Sequence, residues 1–372
     1  MHGEPHVSDS LSLVDWELAS RTARRLVRTG PEVTAEDAAQ AVEQLLQLSD
    51  EAESHVRDLT KLIPLTSSVH DVRVVDRGDW IDINVAGMSS LITPLARRLS
   101  ESQERPSSAL TIAVGSRVTG AQAGAVLSFV ASRVLGQYEI FGSGGELLLV
   151  APNIVEAERK LGVDPRDFRL WVCLHEVTHR LQFTAVPWLE SYLRDQIGAF
   201  VDATDTSPDA LREQLGEAVR NIAYALRPGG SGDEEGGAGE GLLALIKSPE
   251  QRAILDKLTA LMSLVEGHAE YVMDEVGPDV VPSVAAIRKR FNQRRKGRGP
   301  LDRILRRLLG LEAKMQQYAQ GRHFVSGVVD EVGIDGFNAV WSGPDALPTI
   351  EELVDPAAWV ARVHGPRPAL AS

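Results

Sequence analysis

The sequence predicts a mainly α-helical α+β fold with a small antiparallel β element. Over most of the chain, apolar residues recur at spacings of three and four, which is the period of an amphipathic helix. The clearest β pattern is a pair of short apolar segments around a glycine-rich turn, within residues 138–151. No internal repeat is visible in the chain.

The first hundred residues are predicted to be mainly helical. Helical spacing of apolar residues covers residues 16–27 and 35–63, with charged side chains between them. Thr34, which is followed closely by two acidic residues, is a typical helix start, and Pro64 is a typical stop. A further helix is predicted over residues 110–135, where small residues are frequent enough for neighbouring helices to pack closely against it.

The predicted hairpin lies shortly before the motif that carries the chemistry. Its strands are Tyr138–Phe141 and Glu146–Ala151, and the turn Gly142–Gly145 joins them. The next helix is predicted to begin at Asp164, because a capping aspartate, a proline in the first turn and a second carboxylate follow one another there. This helix is expected to run to about Phe183.

Three regions are predicted along the chain, and we expect them to form one compact unit. They are an N-terminal helical region (1–136), a catalytic core (137–276) and a C-terminal helical region (277–372). Further helices are expected after Pro187, over residues 208–226 and over residues 250–276. An acidic, glycine-rich loop with nothing to bury is expected over residues 228–241.

The composition is that of a soluble globular protein, with 43% hydrophobic residues. The formal net charge is -13, from 52 acidic and 39 basic side chains, which disfavours nucleic acid and anionic membranes as partners because both would be repelled. The basic run Arg288–Arg298 is expected to be a solvated helix end or to pair with the acidic residues 233–235. No export signal is visible and no apolar segment reaches the roughly 20 residues of a membrane span, so we expect a cytoplasmic protein.

The strongest chemical signal is the segment from His175 to His179, which reads HEVTH and matches the HExxH motif. Residues four apart share one face of a helix, so both imidazoles can bind one metal ion. Imidazole nitrogen suits zinc, and a catalytic zinc site needs three protein ligands and one open position. Glu176 then lies beside the metal, where it can accept a proton from a water that zinc has acidified. The turns before the motif are apolar on nearly every side, which indicates a buried helix where unpaired polar groups would be costly.

A third ligand has to come from elsewhere, because the residues after His179 do not complete an HExxHxxGxxH motif. The best candidate is Glu266, in the segment VEGHAE of the helix predicted over residues 250–276. Glu270 shares its face, so one carboxylate can bind the metal while the other supports a histidine ligand through a hydrogen bond. His268 lies about 200° around the helix from Glu266 and is expected to line the cleft or to be solvated.

Two further residues are weaker candidates for a role at the metal. Glu190 is the alternative third ligand, but the helix that carries it is less apolar. Cys173 lies about 200° around the helix from His175 and points away from the metal face, so we expect it to be a small core residue. It is the only cysteine in the chain, which excludes an intrachain disulfide.

The combination of HEVTH with a later EGHAE segment resembles the gluzincin branch of the zincin metallopeptidases, in which a glutamate is the third ligand. The resemblance to one family extends over nearly the whole chain and rests on the segments VDWELA, VVDRGDWIDIN, VLGQYE, LLLVAPNI, DFRLWVCLHEVTHRLQF, PWL, SLVEGHAEYVMD, KMQQYAQG, LPTIEEL and PAAWVARV. That family comprises bacterial zincin-like hydrolases associated with the biosynthesis of a deazaflavin coenzyme. The chain departs from the gluzincin pattern in two ways. Glu270 stands where an aspartate is usual, and the gap between His179 and Glu266 exceeds that of thermolysin-like enzymes.

The resemblance implies a zincin-like metallopeptidase fold and a zinc-dependent hydrolase that acts on a peptide or a small amide. Gluzincins commonly use a tyrosine or a histidine to stabilise the oxyanion, and Tyr318 is the first choice here, with Tyr271 and His323 as alternatives. The strand Glu146–Ala151 is expected to present an edge to an extended peptide. Two alternatives are a zinc-containing protein that binds a peptide or partner without hydrolysing it and a helical scaffold with no metal. The presence of Glu176 favours the enzyme.

Overall fold

The fold is α+β and mainly helical, as the sequence predicts. The structure is a computed structural model that describes residues 14–65, 72–101, 109–142, 145–203, 248–296 and 311–365. The chain divides into two compact units. The first unit comprises residues 1–52 and 68–180, and the second comprises residues 53–67 and 181–372. The helix predicted over residues 208–226 and the acidic loop predicted over residues 228–241 lie outside the described residues.

The first unit contains the sheet and the helices that precede the HExxH motif. Its helices are α1 (Trp16–Leu26), α2 (Ala35–Thr60), α3 (Arg77–Glu101), α4 (Ala109–Ala131), α5 (Ala151–Leu161) and α6 (Pro165–Ala185), of which α2 and α6 continue into the second unit. The Thr34 hydroxyl accepts the backbone N–H of Asp37 at 3.0 Å, which confirms the predicted start of α2. A Cβ added at Gly124 on α4 would lie 2.5 Å from the Ala19 carbonyl oxygen on α1, so the small residues of α4 do allow close packing.

In the part of the chain that the structure describes, the sheet has three strands, β1 (Val72–Val75), β2 (Gly136–Glu139) and β3 (Glu146–Val150), in the order β1-β3-β2. β2 and β3 form the predicted antiparallel hairpin, although the first strand begins at Gly136 and ends before Phe141. β1 pairs with β3 in parallel and was not predicted, because four residues are too few for a clear alternation of apolar and polar side chains. β3 is therefore bonded on both sides, and the prediction that it presents a free edge to a peptide is wrong. The outer strands of this sheet are β1 and β2.

Buried side chains of β3 and a buried asparagine hold the first unit together. The four residues from Leu147 to Val150 are completely inaccessible to solvent, which is expected for a central strand. β3 leads directly into α5, where the Asn153 amide donates to the carbonyl oxygens of Ala131 at 2.8 Å and Val134 at 2.6 Å. The Asn153 oxygen accepts from Nε of the buried Arg77 at 2.6 Å. These bonds join the end of α4, the start of α5 and the start of α3, and so fix the turn that leads into β2.

The second unit is helical in its described residues. Its helices are α7 (Trp188–Asp202), α8 (Pro249–Glu275), α9 (Gly277–Val280), α10 (Val284–Lys296), α11 (Leu311–Phe337), α12 (Ile350–Val354) and α13 (Pro356–His364), together with the ends of α2 and α6. α8 and α11 approach backbone to backbone, since a Cβ at Gly267 would lie 2.1 Å from the backbone of Gly321. α11 is interrupted at Gly333, whose φ of 72° is the left-handed conformation that favours glycine. Phe324 and Trp359, both fully buried, pack edge to face with ring centroids 5.6 Å apart.

Two predictions concern the chain as a whole. Within the described parts of the chain, none of the helices combines the length and the apolar character that crossing a bilayer requires. The division into regions 1–136, 137–276 and 277–372 stays a prediction.

Candidate metal centre

Helix α6 carries the HExxH motif and is buried in the turns that precede it. Its predicted start is confirmed, because the Asp164 carboxylate accepts the backbone N–H of Asp167 at 3.0 Å. Every residue from Phe168 to Leu174 is buried. The one charged side chain among them, Arg169, forms two hydrogen bonds to the buried carboxylate of Glu158, at 3.0 and 2.7 Å. Because the helix is enclosed in this way, the side chains that follow toward its C-terminal end have little freedom to move.

His175 and His179 present their ring nitrogens to each other at the end of this buried stretch. Their Nε2 atoms lie 3.1 Å apart, and their ring planes are nearly perpendicular, at 86°. Two imidazole nitrogens bound to one tetrahedral zinc ion at about 2.0–2.1 Å would be separated by about 3.3 Å. The pair is therefore spaced as two ligands of a single metal ion would be.

Glu176 follows the first histidine and is packed against the edge strand of the sheet. Only 6% of the residue is exposed. A Cβ added at Gly136 on β2 would lie 2.5 Å from Cγ and 2.7 Å from Cδ of Glu176. Since real Cβ contacts of that length essentially never occur, the side chain of Glu176 fits where it does because position 136 has no side chain. Gly136 itself does not have a positive φ, so space rather than backbone conformation is the reason for a glycine there.

The last turns of α6 are fastened to α8 by Gln182, within the second unit. The Gln182 side-chain amide donates to the carbonyl oxygen of Val265 at 2.9 Å and lies 3.0 Å from Nδ1 of His268. Both Gln182 and His268 are completely buried. These contacts flank Glu266 along α8. α6 is one continuous helix from Pro165 to Ala185, so the histidine pair and Gln182 belong to the same rigid helix.

Among the residues that the structure describes, His175, His179 and Glu266 form a group of three possible metal ligands. One donor atom from each lies within 4.8 Å of the donor atoms of the other two. The separation of the two histidine nitrogens would also suit a shared proton, but a third donor that converges on the same point is what a metal ion requires. Two neutral imidazoles and one carboxylate match the His₂Glu ligand set of catalytic zinc sites. The residues present therefore fit zinc.

Cys173 is a core residue, as predicted. It is fully buried, and its sulfur lies 3.8 Å from the carbonyl oxygen of Leu45. Burial raises the pKa of its thiol well above the usual range, and the nearby Glu176 carboxylate adds to the effect. The thiol therefore stays protonated and is neither a metal ligand nor a nucleophile.

The other residues predicted for the site differ in how the structure places them. Glu270 is half-buried one turn after Glu266 on α8. Tyr271 lies about 140° around α8 from Glu266, so it faces another direction. Burial and the charges of nearby acidic residues raise the pKa of its phenol. His323 is exposed on α11. Tyr318 belongs to α11, but its side chain lies outside the described residues.

The expectation that His268 lines the cleft or is solvated is wrong. The imidazole is completely buried, and its ring lies 5.2 Å from that of Phe337 and 5.6 Å from that of Trp341. It fills the interior of the second unit on the side of α8 that faces away from Glu266. The alternative ligand Glu190 instead accepts a hydrogen bond from Arg194 at 2.9 Å, one turn further along α7.

The basic run begins in a structural ion cluster. Arg288 on α10 pairs with Asp274 at the end of α8, and the same carboxylate lies 2.6 Å from the guanidinium of Arg322 on α11. The expected partners of the run, residues 233–235, lie outside the described residues.

Gly136 and Gln182 were not identified from the sequence. Gln182 carries a detectable signal, because it lies three residues after His179 and seven after His175, which places all three on one helix face. Gly136 carries none, since a glycine before a predicted strand is most simply read as the end of a turn.

Two comparisons with known proteins found matches to this chain. The family model described as zincin-like metallopeptidase matches residues 14–360. A crystal structure of a candidate hydrolase with a novel fold from Chloroflexus aurantiacus is 30% identical to the chain. The match covers 95% of this chain and 100% of that one, with a TM-score of 0.69. No curated protein matches the chain. The extent of the family match shows that the chain belongs to the zincin-like metallopeptidase family.

Proposed function

We propose that this protein is a zinc-dependent hydrolase that cleaves amide bonds in a peptide or a small amide, with His175, His179 and Glu266 as the zinc ligands. The observation that carries the proposal is the convergence of these three donors within 4.8 Å, since two histidines from one helix alone would not define a metal site. The family is that of zincin-like metallopeptidases, which supports hydrolysis in general.

A zinc ion held by these residues would supply a Lewis acid that lowers the pKa of a bound water to about 7 and polarises the scissile carbonyl. Glu266 contributes one negative charge to the dication, and the two imidazoles contribute none. With zinc bound, these three ligands would leave a net positive charge, which would favour the negative charge that develops on the carbonyl oxygen during attack.

Glu176 is the general base in this proposal. It follows the ligand His175 directly and so lies about 100° around the helix, beside the ligand face rather than on it. Its carboxylate accepts the proton of the attacking water and then donates that proton to the leaving nitrogen. Gly136 contributes by leaving the space that this side chain occupies. Tyr318 stays our prediction for the group that stabilises the oxyanion, and Glu270 for the carboxylate that supports a histidine ligand.

The test combines metal analysis with an activity screen of matched variants. Purified protein, Glu176→Gln and Glu190→Gln are compared for zinc content and for hydrolysis of a fluorogenic peptide library. We expect about one zinc per chain in all three, hydrolysis by the parent and Glu190→Gln, and loss of at least about a hundredfold in rate for Glu176→Gln, the scale of general-base catalysis. His175→Ala is expected to lose zinc.

Two results would count against the proposal. Hydrolysis by Glu176→Gln at the parental rate would exclude the proposed general base. Zinc binding without hydrolysis of any library member by the parent would favour the alternative, a zinc-containing protein that binds peptides without cleaving them.

A further inference from the structure

The completely buried Gln182 contacts α8 at residues that precede and follow the proposed ligand Glu266 in the sequence. Its amide nitrogen lies 2.9 Å from the carbonyl oxygen of Val265, one residue before Glu266, and 3.0 Å from Nδ1 of His268, two residues after it. Gln182 and His268 are both 0% exposed. The bonds join two helices that are far apart in the sequence.

The chemistry of the contact leaves one arrangement. If the amide oxygen of Gln182 took the place of the nitrogen, it would face the carbonyl oxygen of Val265, and two acceptors would repel each other. The nitrogen therefore donates one proton to Val265 and the other to the ring of His268. Nδ1 of His268 must then be an acceptor, which places the ring proton on Nε2. Phe337 and Trp341 pack against the same ring, so it cannot turn away from the amide.

The position of Gln182 on α6 makes this contact relevant to the metal donors. Counted from His175, His179 lies about 40° and Gln182 about 20° around the helix, on the two sides of the same face. Gln182 is only about 4.5 Å further along the axis than His179. The hydrogen bonds of Gln182 at this point fix the rotation of α6 about its axis and its position along that axis. They therefore fix where the histidine pair lies with respect to the turn of α8 that carries Glu266.

We propose that Gln182 is a positioning residue that sets the separation between the histidine pair and Glu266 and thereby determines the affinity for zinc. The inference rests on the proposed function, because it assumes that these three residues bind the metal. Donor atoms of a metal site have to be held within about 0.5 Å of their working positions. Hydrogen bonds that support ligands from behind typically change metal affinity by about 10–100-fold when they are removed. Gln182 differs from such partners in that it holds the backbone of one ligand helix rather than a ligand side chain.

The test measures zinc affinity, so it requires no substrate. Gln182→Leu removes the link with little change in volume, while Val265 keeps its acceptor role within α8. Competition with a chromophoric zinc chelator is expected to show a Kd raised by about tenfold or more, with the stoichiometry still at one zinc per chain. Thr178→Val is the matched control. Its side chain is equally buried on the same helix, but the hydroxyl bonds only to the Leu174 carbonyl, at 2.7 Å, so zinc affinity should stay within about twofold.

A second variant separates positioning from simple stability. In Gln182→Leu, the ring nitrogen of His268 loses its donor and the apo protein is destabilised. Gln182→Leu with His268→Phe replaces both partners by apolar groups, which should recover most of the unfolding stability but not the zinc affinity. If affinity returned together with stability, Gln182 would have only a structural role and the inference would fail. Gln182→Met, the closest isostere in length, is measured in the same way if the leucine variant does not fold.

Failure of this inference is distinguishable from failure of the proposed function. If the parent binds zinc, His175→Ala does not, and Gln182→Leu binds like Thr178→Val, then the metal site stands and the positioning role is refuted. If the parent itself binds no zinc, both the proposed function and the positioning role of Gln182 are refuted.

Discussion

Replacing Gly136 by alanine tests whether the edge strand β2 holds the proposed general base in place. The new Cβ would lie 2.5 Å from Cγ of Glu176, about 0.9 Å closer than the 3.4 Å at which ordinary contacts begin. Glu176 is 6% exposed, so its side chain has little free space into which to rotate. Either the side chain leaves its rotamer or β2 shifts away from α6, and both displace the carboxylate.

The expected cost follows from the size of this overlap. Overpacking a buried site by one methyl group typically costs about 1–3 kcal/mol. Alanine in place of a strand glycine returns about 0.5–1 kcal/mol, because the unfolded chain loses some of its freedom. Gly136→Ala should therefore lower the free energy of unfolding by about 1–2 kcal/mol. With Glu176→Ala already present, the clashing atoms are absent, and the same change should be neutral or stabilising by up to about 1 kcal/mol.

The assay is a double-mutant cycle from urea denaturation of the parent, both single variants and the double variant. We expect an interaction energy of about 1–3 kcal/mol between positions 136 and 176. Gly198→Ala is the control, since within the described residues no atom outside its own helix lies within 4 Å of the added Cβ, and alanine should stabilise α7 there. An equal cost of Gly136→Ala with and without the Glu176 side chain would refute the steric argument.

Three further predictions concern single groups. Arg169→Met leaves the Glu158 carboxylate buried without its ion pair. The free energy of unfolding, measured by urea titration, should fall by about 3–5 kcal/mol. A loss below about 1 kcal/mol would show that the ion pair is not needed for stability. Since burial raises the pKa of the Cys173 thiol, Ellman's reagent at pH 8 should detect no reactive thiol in the native protein and one per chain in denaturant. Burial opposes ionisation of Glu352, but hydrogen bonds from Arg362 and from a backbone N–H outweigh it, so the pKa lies below the ordinary 4.5. A depressed folded-state pKa means stability that is present above the unfolded value and lost as the pH falls. Thermal unfolding between about pH 5 and pH 3 should therefore be less pH-dependent in Glu352→Gln than in the parent.

The sequence predicts most of the elements that surround the candidate site, because their signals are local. The capping residues Thr34 and Asp164 form the bonds expected of them, and α6 is buried over the turns whose residues are apolar on nearly every side. The hairpin of β2 and β3 follows from its glycine-rich turn. β1 escapes prediction because a short strand with mixed burial has no period of its own and is defined by the strand beside it.

His268 shows why burial is harder to predict than helix formation. Its position in a helical pattern, on the face opposite to Glu266, is readable from the sequence. Whether that second face meets solvent or another helix depends on which elements pack there. In the structure the ring is covered by Phe337 and Trp341, from a segment that no local signal connects with α8.

From the sequence alone, one helix face had to bring together His175 and His179, with Glu176 beside that face, because the spacing of residues on an α-helix is set by backbone geometry. Helix periodicity likewise put Glu266 and Glu270 on a common face of α8. Only the tertiary structure decided that Glu266 converges with the histidines, that Gln182 fastens α6 to α8, and that β2 offers a glycine to the side chain of Glu176. These contacts depend on how surfaces far apart in the chain fit together. Complementarity of shape produces no periodic pattern in the sequence of either segment.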